Sequence, residues 1–306
     1  MSTIKLIPSP HTAIWGGEKL ARMGKKPRAE GENIAESWEL SFVPGSEATD
    51  GQGIPLSEKY TKADFGLASA DLPFFPVLTK FIDAKSKLSV QVHPSDEVAL
   101  ADEGQYGKTE MWYIVSAEPG AGIYAGLRRK VGKEEFAAAV ADGTVESLLA
   151  FHEVHPGDVF FIPSGTIHAI GGGVLLYEIQ QNSTLTYRLY DYGRRDAAGN
   201  LRPLHVEKAL KVALLDEYKP QKNDPDHPEI IGKCKYFLAK RLVISEKTVL
   251  TADEESYLSV TVIRGSGSVA GLPASPLDSF FTPAGDGAVE ILPDGEMEIV
   301  TVETRR

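Results

Sequence analysis

One cysteine, Cys234, occurs in 306 residues. A single thiol cannot build an internal disulfide framework or a cysteine-rich zinc site, so any metal must be held by histidine, carboxylate or amide groups. Long hydrophobic runs are also missing. No window is apolar enough to span a membrane, and Met1 to Trp15 has no basic patch followed by a long apolar stretch, which points to a cytoplasmic protein. Positive charge is in deficit: the formal net charge of -11 argues against nucleic acid or an anionic membrane as the main partner. A small anion is still admissible, because Lys80, Lys85, Lys87, Lys108, Arg188, Arg194 and Arg195 can set the local field. No glycine-rich dinucleotide fingerprint stands at a strand-to-helix turn. Gly171-Gly172-Gly173 lacks the pattern, and no nucleotide cofactor is expected.

What the chain has is short β-like runs punctuated by Gly and Pro, among them Ser37 to Phe42, Met111 to Val115 and Val174 to Ile179. Many short strands at this spacing predict a sandwich or barrel. Helical patterns are few: Ser95 to Ala101, with Ser95 placed to cap, then Lys133 to Ala141, Val145 to Ala150 and His205 to Leu215. A polar, proline-bearing stretch carrying Lys219-Pro220, Asp224-Pro225 and His227-Pro228 marks a linker over 218–233, dividing a first domain, 1–217, from a second, 234–306. Ser279 to Gly285 echoes Val159 to Gly165, which suggests two copies of one β-fold. The second copy contains no histidine, so it reads as structural.

The run Leu88 to Pro94 carries the chemistry. On an extended strand Ser89, Gln91 and His93 share one side while Leu88, Val90 and Val92 take the other. An apolar strand does not line an amide beside an imidazole without a partner for them. Further along, Gly157, Pro163, Gly165 and His168 form Gly-x5-Pro-x-Gly-x-x-His, a spacing that resembles the second motif of the cupin superfamily, in which a turn delivers a histidine into a small jelly-roll barrel. With Glu110, the set Gln91, His93, Glu110 and His168 offers two imidazoles, a carboxylate and an amide oxygen. Such N/O sets suit zinc, with manganese, iron, cobalt or nickel as alternatives, and leave a position open for water or substrate.

The resemblance extends beyond one motif. Glu36 to Ser41, Phe81 to Ala84, Leu88 to Pro94, Gly107 to Tyr113, Pro163 to Ile170 and Thr186 to Tyr192 are similar, in order, to the short bacterial form of the type I mannose-6-phosphate isomerase family. Ser164 departs mildly from the alanine more usual there, and a small residue preserves the turn. The resemblance implies a mainly β fold: a cupin-like jelly-roll β-barrel with helical insertions, followed by a second, smaller cupin-like β domain. It implies one zinc ion per chain bound by Gln91, His93, Glu110 and His168, with Arg188 as the active-site arginine, and a sugar phosphate as substrate of a monomer or homodimer. The reaction implied interconverts mannose 6-phosphate and fructose 6-phosphate.

That chemistry moves a proton between adjacent carbons through a cis-enediol. It needs a base and a stabiliser of developing negative oxygen, but no redox cofactor. Arg188 suits the enediolate or the phosphate, since a guanidinium stays protonated and offers a planar fork of donors. Glu178, ending an apolar strand ten positions earlier, is the candidate base if burial raises its pKa. Lys108, two residues before Glu110, is expected on the metal-facing side as a substrate contact, with Ser89 and Lys87 as further substrate-binding candidates. Trp15 and Trp38 are candidate pocket walls. The competing readings are another cupin enzyme, such as an iron-dependent dioxygenase, and a two-cupin carbohydrate-binding protein.

Overall fold

The computed structural model describes residues 3–196, 198–220 and 225–305. The chain is mainly β and cupin-like, as the sequence indicated, and the strands among the described residues form four sheets. One six-stranded sheet runs in the order Ser9–His11, Glu36–Leu40, Val77–Ala84, Val174–Gln181, Glu110–Ala117, Val159–Ile162. A five-stranded sheet faces it, in the order Tyr187–Tyr190, Val90–Val92, His168–Ile170, Gly122–Leu127, Leu149–Glu153. Between these two lies one core, with Ile82, Trp112, Ile114, Leu176, Ile123, Ala125 and Ile170.

The first sheet is buried on both faces. Its other side, through Leu40, Phe81, Met111, Tyr113 and Tyr177, packs against Phe237, Tyr257, Phe281 and Val300 of a second six-stranded sheet built mainly by the carboxy-terminal part. Val77–Ala84 and Val174–Gln181 are buried at every position, and strands covered on both faces read as nearly continuous apolar runs. Of the polar residues in those runs, Lys80, Glu178 and Gln180 alternate onto the five-stranded sheet's side, and Thr79, Asp83 and Gln181 onto the other. The outer face of that sheet, with Val90, Val92, Ile167, Ala169 and Leu189, is covered by Phe136 and Val140 of the helix Lys133–Ala141 and by Ala209 of the helix Val206–Val212.

Three local expectations change. Ser95 takes the cap position of the helix Asp96–Asp102 in extended backbone but makes no side-chain capping bond. Val145 to Ala150 is helical only as a 3-10 turn, Val145–Leu148, because Leu149–Glu153 pairs with Gly122–Leu127, and sheet pairing overrides local helix preference. The stretch expected as a linker, 218–233, carries a strand at its far end. Ile230–Lys233 is a strand paired with Leu238–Ile244, where the proline-bearing composition masked a short β pattern. Gly232 in that strand lies so close to the first sheet that a Cβ would stand 2.4 Å from the Met111 sulfur. The centre of the linker, 221–224, lies outside the described residues. The first strand, Ile4–Lys5, joins the carboxy-terminal sheet by pairing with Phe281 and Phe280. Among the described residues no helix is long and apolar enough to cross a membrane.

Candidate metal centre between facing sheets

Register assembles the site. On the five-stranded sheet His168 and Arg188 both pair with Gln91, which sets imidazole, amide and guanidinium side by side on the inner face. On the six-stranded sheet Trp38 pairs with Lys80, Lys80 with Glu178, and Glu178 with Trp112, while Glu110 lies two residues from Trp112 on the same face. The alternation expected from Leu88 onward holds from Val90: Val90 and Val92 are in the outer core and Gln91 and His93 face inward, but Leu88, which precedes the strand, packs in the core between the sheets and not beside Val90 and Val92. Gly165, at φ +85°, makes the turn before His168 in a backbone conformation that favours glycine, and its N–H donates to the His93 carbonyl at 2.8 Å.

His93, Glu110 and His168 bring one ligating atom each within 4.8 Å of one another, all buried. His93 Nδ1 lies 2.7 Å from the Leu185 carbonyl and His168 Nδ1 2.9 Å from the Thr166 carbonyl. Each carbonyl can only accept, so both Nδ1 atoms carry the proton and both Nε2 atoms present lone pairs, the arrangement that backbone oxygens impose on ligand imidazoles. Those Nε2 atoms face Glu110, at 3.6 Å from Oε2 and 3.3 Å from Oε1. Burial holds the His93 pKa well below its usual value and that of His168 down to about 4, so both rings are neutral. Glu110 is fully buried, and neither oxygen accepts a hydrogen bond of proper geometry, although the Lys108 ammonium stands 2.6 Å from Oε2. Burial and the charge of Glu178 push its pKa up.

Around this triad the charges alternate. Lys108 reaches Glu110 at 2.6 Å and Glu178 at 3.2 Å, and Lys80 reaches Glu178 and Glu36 at 3.2 Å each. When Glu110, Glu178 and Glu36 are all ionised they exceed Lys108 and Lys80 by one negative charge, beside two neutral imidazoles. Buried charge of that kind needs a counter-ion, and the donors present fit a divalent cation. Arg188 connects through Ser89: its Nε donates to Ser89 Oγ at 3.2 Å, and Ser89 Oγ donates to Gln91 Oε1 at 3.3 Å. Gln91 Nε2 lies 3.3 Å from His168 Nε2.

Gln91, His93, Glu110, His168, Lys108, Ser89, Arg188 and Glu178 are thus contiguous. Two expectations are corrected. Glu178 does not have a raised pKa: burial alone would raise it, but Lys108 and Lys80 outweigh that and hold it below the usual carboxylate range. Lys87 does not reach the site. Its ammonium pairs with Glu146 at 2.6 Å and lies over the rings of Tyr124 and Tyr192, because pairing in this strand begins only at Val90 and the chain leaves the face before it. Trp15 is buried in the core between the sheets, whereas Trp38 stacks on His11 and donates from Nε1 to Glu36 at 2.7 Å. Glu36 and Trp112 were not singled out from the sequence, and Lys80 only as one of seven cations able to set the local field. The signal for Lys80 was present, since a lysine inside an otherwise apolar run has to find a carboxylate.

The fold and donor set define a mainly β, two-part cupin-like protein with a candidate metal centre in the cleft between facing sheets. Residues 3–115 match the model of "Phosphomannose isomerase type I, catalytic domain". The chain is 36% identical to mannose-6-phosphate isomerase of Streptococcus mutans over 309 residues, covering 95% of this chain and 94% of that one. It is 38% identical over 268 residues to mannose-6-phosphate isomerase ManA of Bacillus subtilis, 83% of each chain. The crystal structure of the mannose 6-phosphate isomerase from Bacillus subtilis superposes with a TM-score of 0.85 at 32% identity, covering 99% of both chains. A more distant structure, a mannose 6-phosphate isomerase bound with zinc and yttrium, shares the fold at a TM-score of 0.75 and 16% identity. The chain belongs to the type I phosphomannose isomerase family.

Proposed function

We propose that the chain is a zinc-dependent isomerase interconverting D-mannose 6-phosphate and D-fructose 6-phosphate through a cis-enediol. The observation that carries this reading is Glu110, a fully buried carboxylate that, beside its ion pair with Lys108, faces two neutral imidazoles whose lone pairs point at it. Coverage of relatives along almost their whole length supports the substrate. His93, Glu110 and His168 would hold the ion, with Gln91 as fourth donor, since a half-turn of its amide exchanges oxygen for nitrogen toward His168 and leaves the nitrogen to donate to Ser89. When bound, the ion supplies Lewis-acid polarisation of the sugar carbonyl and a template for its oxygens.

The remaining work falls to the chain. Glu178 is ionised at neutral pH and is the candidate to take the proton from carbon 2 of the aldose and return it to carbon 1. The hydroxyl proton on carbon 2 passes to the oxygen on carbon 1, so the formula is conserved. Arg188, half-buried and anchored through Ser89 and the Pro203 carbonyl, stabilises the enediolate or the phosphate with a charge that pH does not remove. Lys108, touching both carboxylates, contacts a sugar oxygen. The same reading takes the enzyme to act in the cytoplasm, as a monomer or homodimer.

The test is a coupled assay on mannose 6-phosphate with protein stripped by a chelator and then reloaded. Turnover should fall by on the order of a hundredfold or more on stripping and return with zinc. Full activity in protein shown metal-free by elemental analysis would remove the metal from the reaction. In deuterated water the product should carry deuterium at the carbon that receives the proton.

A further inference from the structure

The inner face of the six-stranded sheet carries a charge that the reaction above does not use. Lys80 occupies the centre of a row in which it is paired across one ladder with Trp38 and across the next with Glu178. Side chains opposed in this way start only about 5 Å apart, so a lysine at this position spans carboxylates on both neighbouring strands. Its ammonium stands 3.2 Å from Glu178 Oε1 and 3.2 Å from Glu36 Oε2. Glu36 is tied down in turn by the Trp38 indole at 2.7 Å, and the Lys80 ammonium lies 5.7 Å from the centre of the Trp38 ring. Glu178 Oε2 accepts from the Trp112 indole at 2.9 Å.

Lys80 is 8% exposed, Glu178 2% and Trp112 fully buried. Packing alone does not call for such a row, because a buried ion pair is commonly replaced by apolar residues of like volume without loss of stability. Burial by itself would lower the Lys80 pKa, yet Glu178 and Glu36 outweigh it and keep the ammonium charged. What the lysine contributes is orientation: Trp112 holds one oxygen of Glu178, Lys80 and Lys108 hold the other from two sides, and of these two only Lys80 is anchored through Glu36.

We propose that Lys80, anchored by Glu36, is a positioning residue that fixes the Glu178 carboxylate for proton transfer. The inference rests on the isomerase reading with Glu178 as base. It is tested on the zinc-loaded full chain with Lys80→Met and Lys80→Arg. For Lys80→Met, kcat should fall about tenfold to a hundredfold while KM for mannose 6-phosphate stays within about twofold, as expected when a reacting group is misplaced but substrate binding is intact. Lys80→Arg should recover part of kcat. Zinc content should be unchanged, and a crystal structure of Lys80→Met should show the Glu178 carboxylate displaced.

Unchanged kcat in a folded Lys80→Met protein overturns the proposal, as does a loss confined to KM or a Glu178 that has not moved. If Lys80→Met does not fold, Glu36→Gln takes its place: a smaller fall in kcat at constant KM supports the anchoring, and unchanged kcat overturns it. A wild-type protein inactive with zinc defeats the isomerase reading instead, and the crystallographic position of Glu178 then decides the positioning role on its own.

Discussion

Individual residues act here through the partners that hold them. His93 and His168 are neutral because they are desolvated, and their tautomers are fixed by the carbonyls of Leu185 and Thr166. Beside Arg188, Asp191 is 5% exposed and accepts from Arg202 Nε at 2.7 Å and from Arg194. Burial would raise its pKa, but the two guanidinium groups outweigh that and hold it below the usual carboxylate value. A depressed folded pKa contributes stability that is present above the unfolded value, about 4, and is lost as pH falls through the folded value. Asp191→Asn should therefore cost about 2 kcal/mol at neutral pH. Denaturant titrations of both proteins across pH should show this difference shrinking below about pH 4. A difference independent of pH would assign the loss to shape and not to charge. Most of the residues in the centre were legible in the sequence because their types are chemically scarce in an apolar strand. The protonation of Glu178 was not, since its sign depends on Lys80 from a neighbouring strand and on Lys108 from the loop before Glu110.

Among the elements, turns and short strands decide what the sheets can present. Gly66 joins two 3-10 turns at φ 89°, ψ 167°, a region essentially reserved for glycine, and an added Cβ would lie 2.4 Å from the Glu255 carbonyl oxygen. Leu67 and Ala68 then donate to the carbonyls of Glu254 and Glu255, so the turn fastens the early loop to the carboxy-terminal part. Gly66→Ala should lower stability by about 1–3 kcal/mol. Thermal unfolding should show the shift, with zinc bound per folded molecule unchanged. Reduced metal content at full folding would mean that the strain reaches the ligand strands. The expected helix at Val145 to Ala150 illustrates what a local pattern cannot reveal. Leu149 to Glu153 has a neighbour, Gly122–Leu127, whose ladder is available only after the sheet has formed.

For the whole molecule, the central sheet ties the two parts of the chain into one structure. A single core runs from Leu40 and Phe81 to Phe281 and Val302, Tyr177 and Thr261 bond at 2.9 Å across it, and Ile4–Lys5 completes the far sheet. Unfolding should accordingly be one calorimetric transition with matching calorimetric and van't Hoff enthalpies. Two separated transitions would show that the parts fold independently. The sequence by itself determined the mainly β class and the family and restricted candidate donors to nitrogen and oxygen groups, because strand alternation, a shortage of cysteine and ordered motifs are local properties of the chain. Only the tertiary structure decided which lysines reach the centre, that Lys87 does not, that Glu178 is held ionised, and that Ile230–Lys233 pairs as a strand. These depend on register between strands far apart in sequence and on the charges that register brings within a few ångströms of one another.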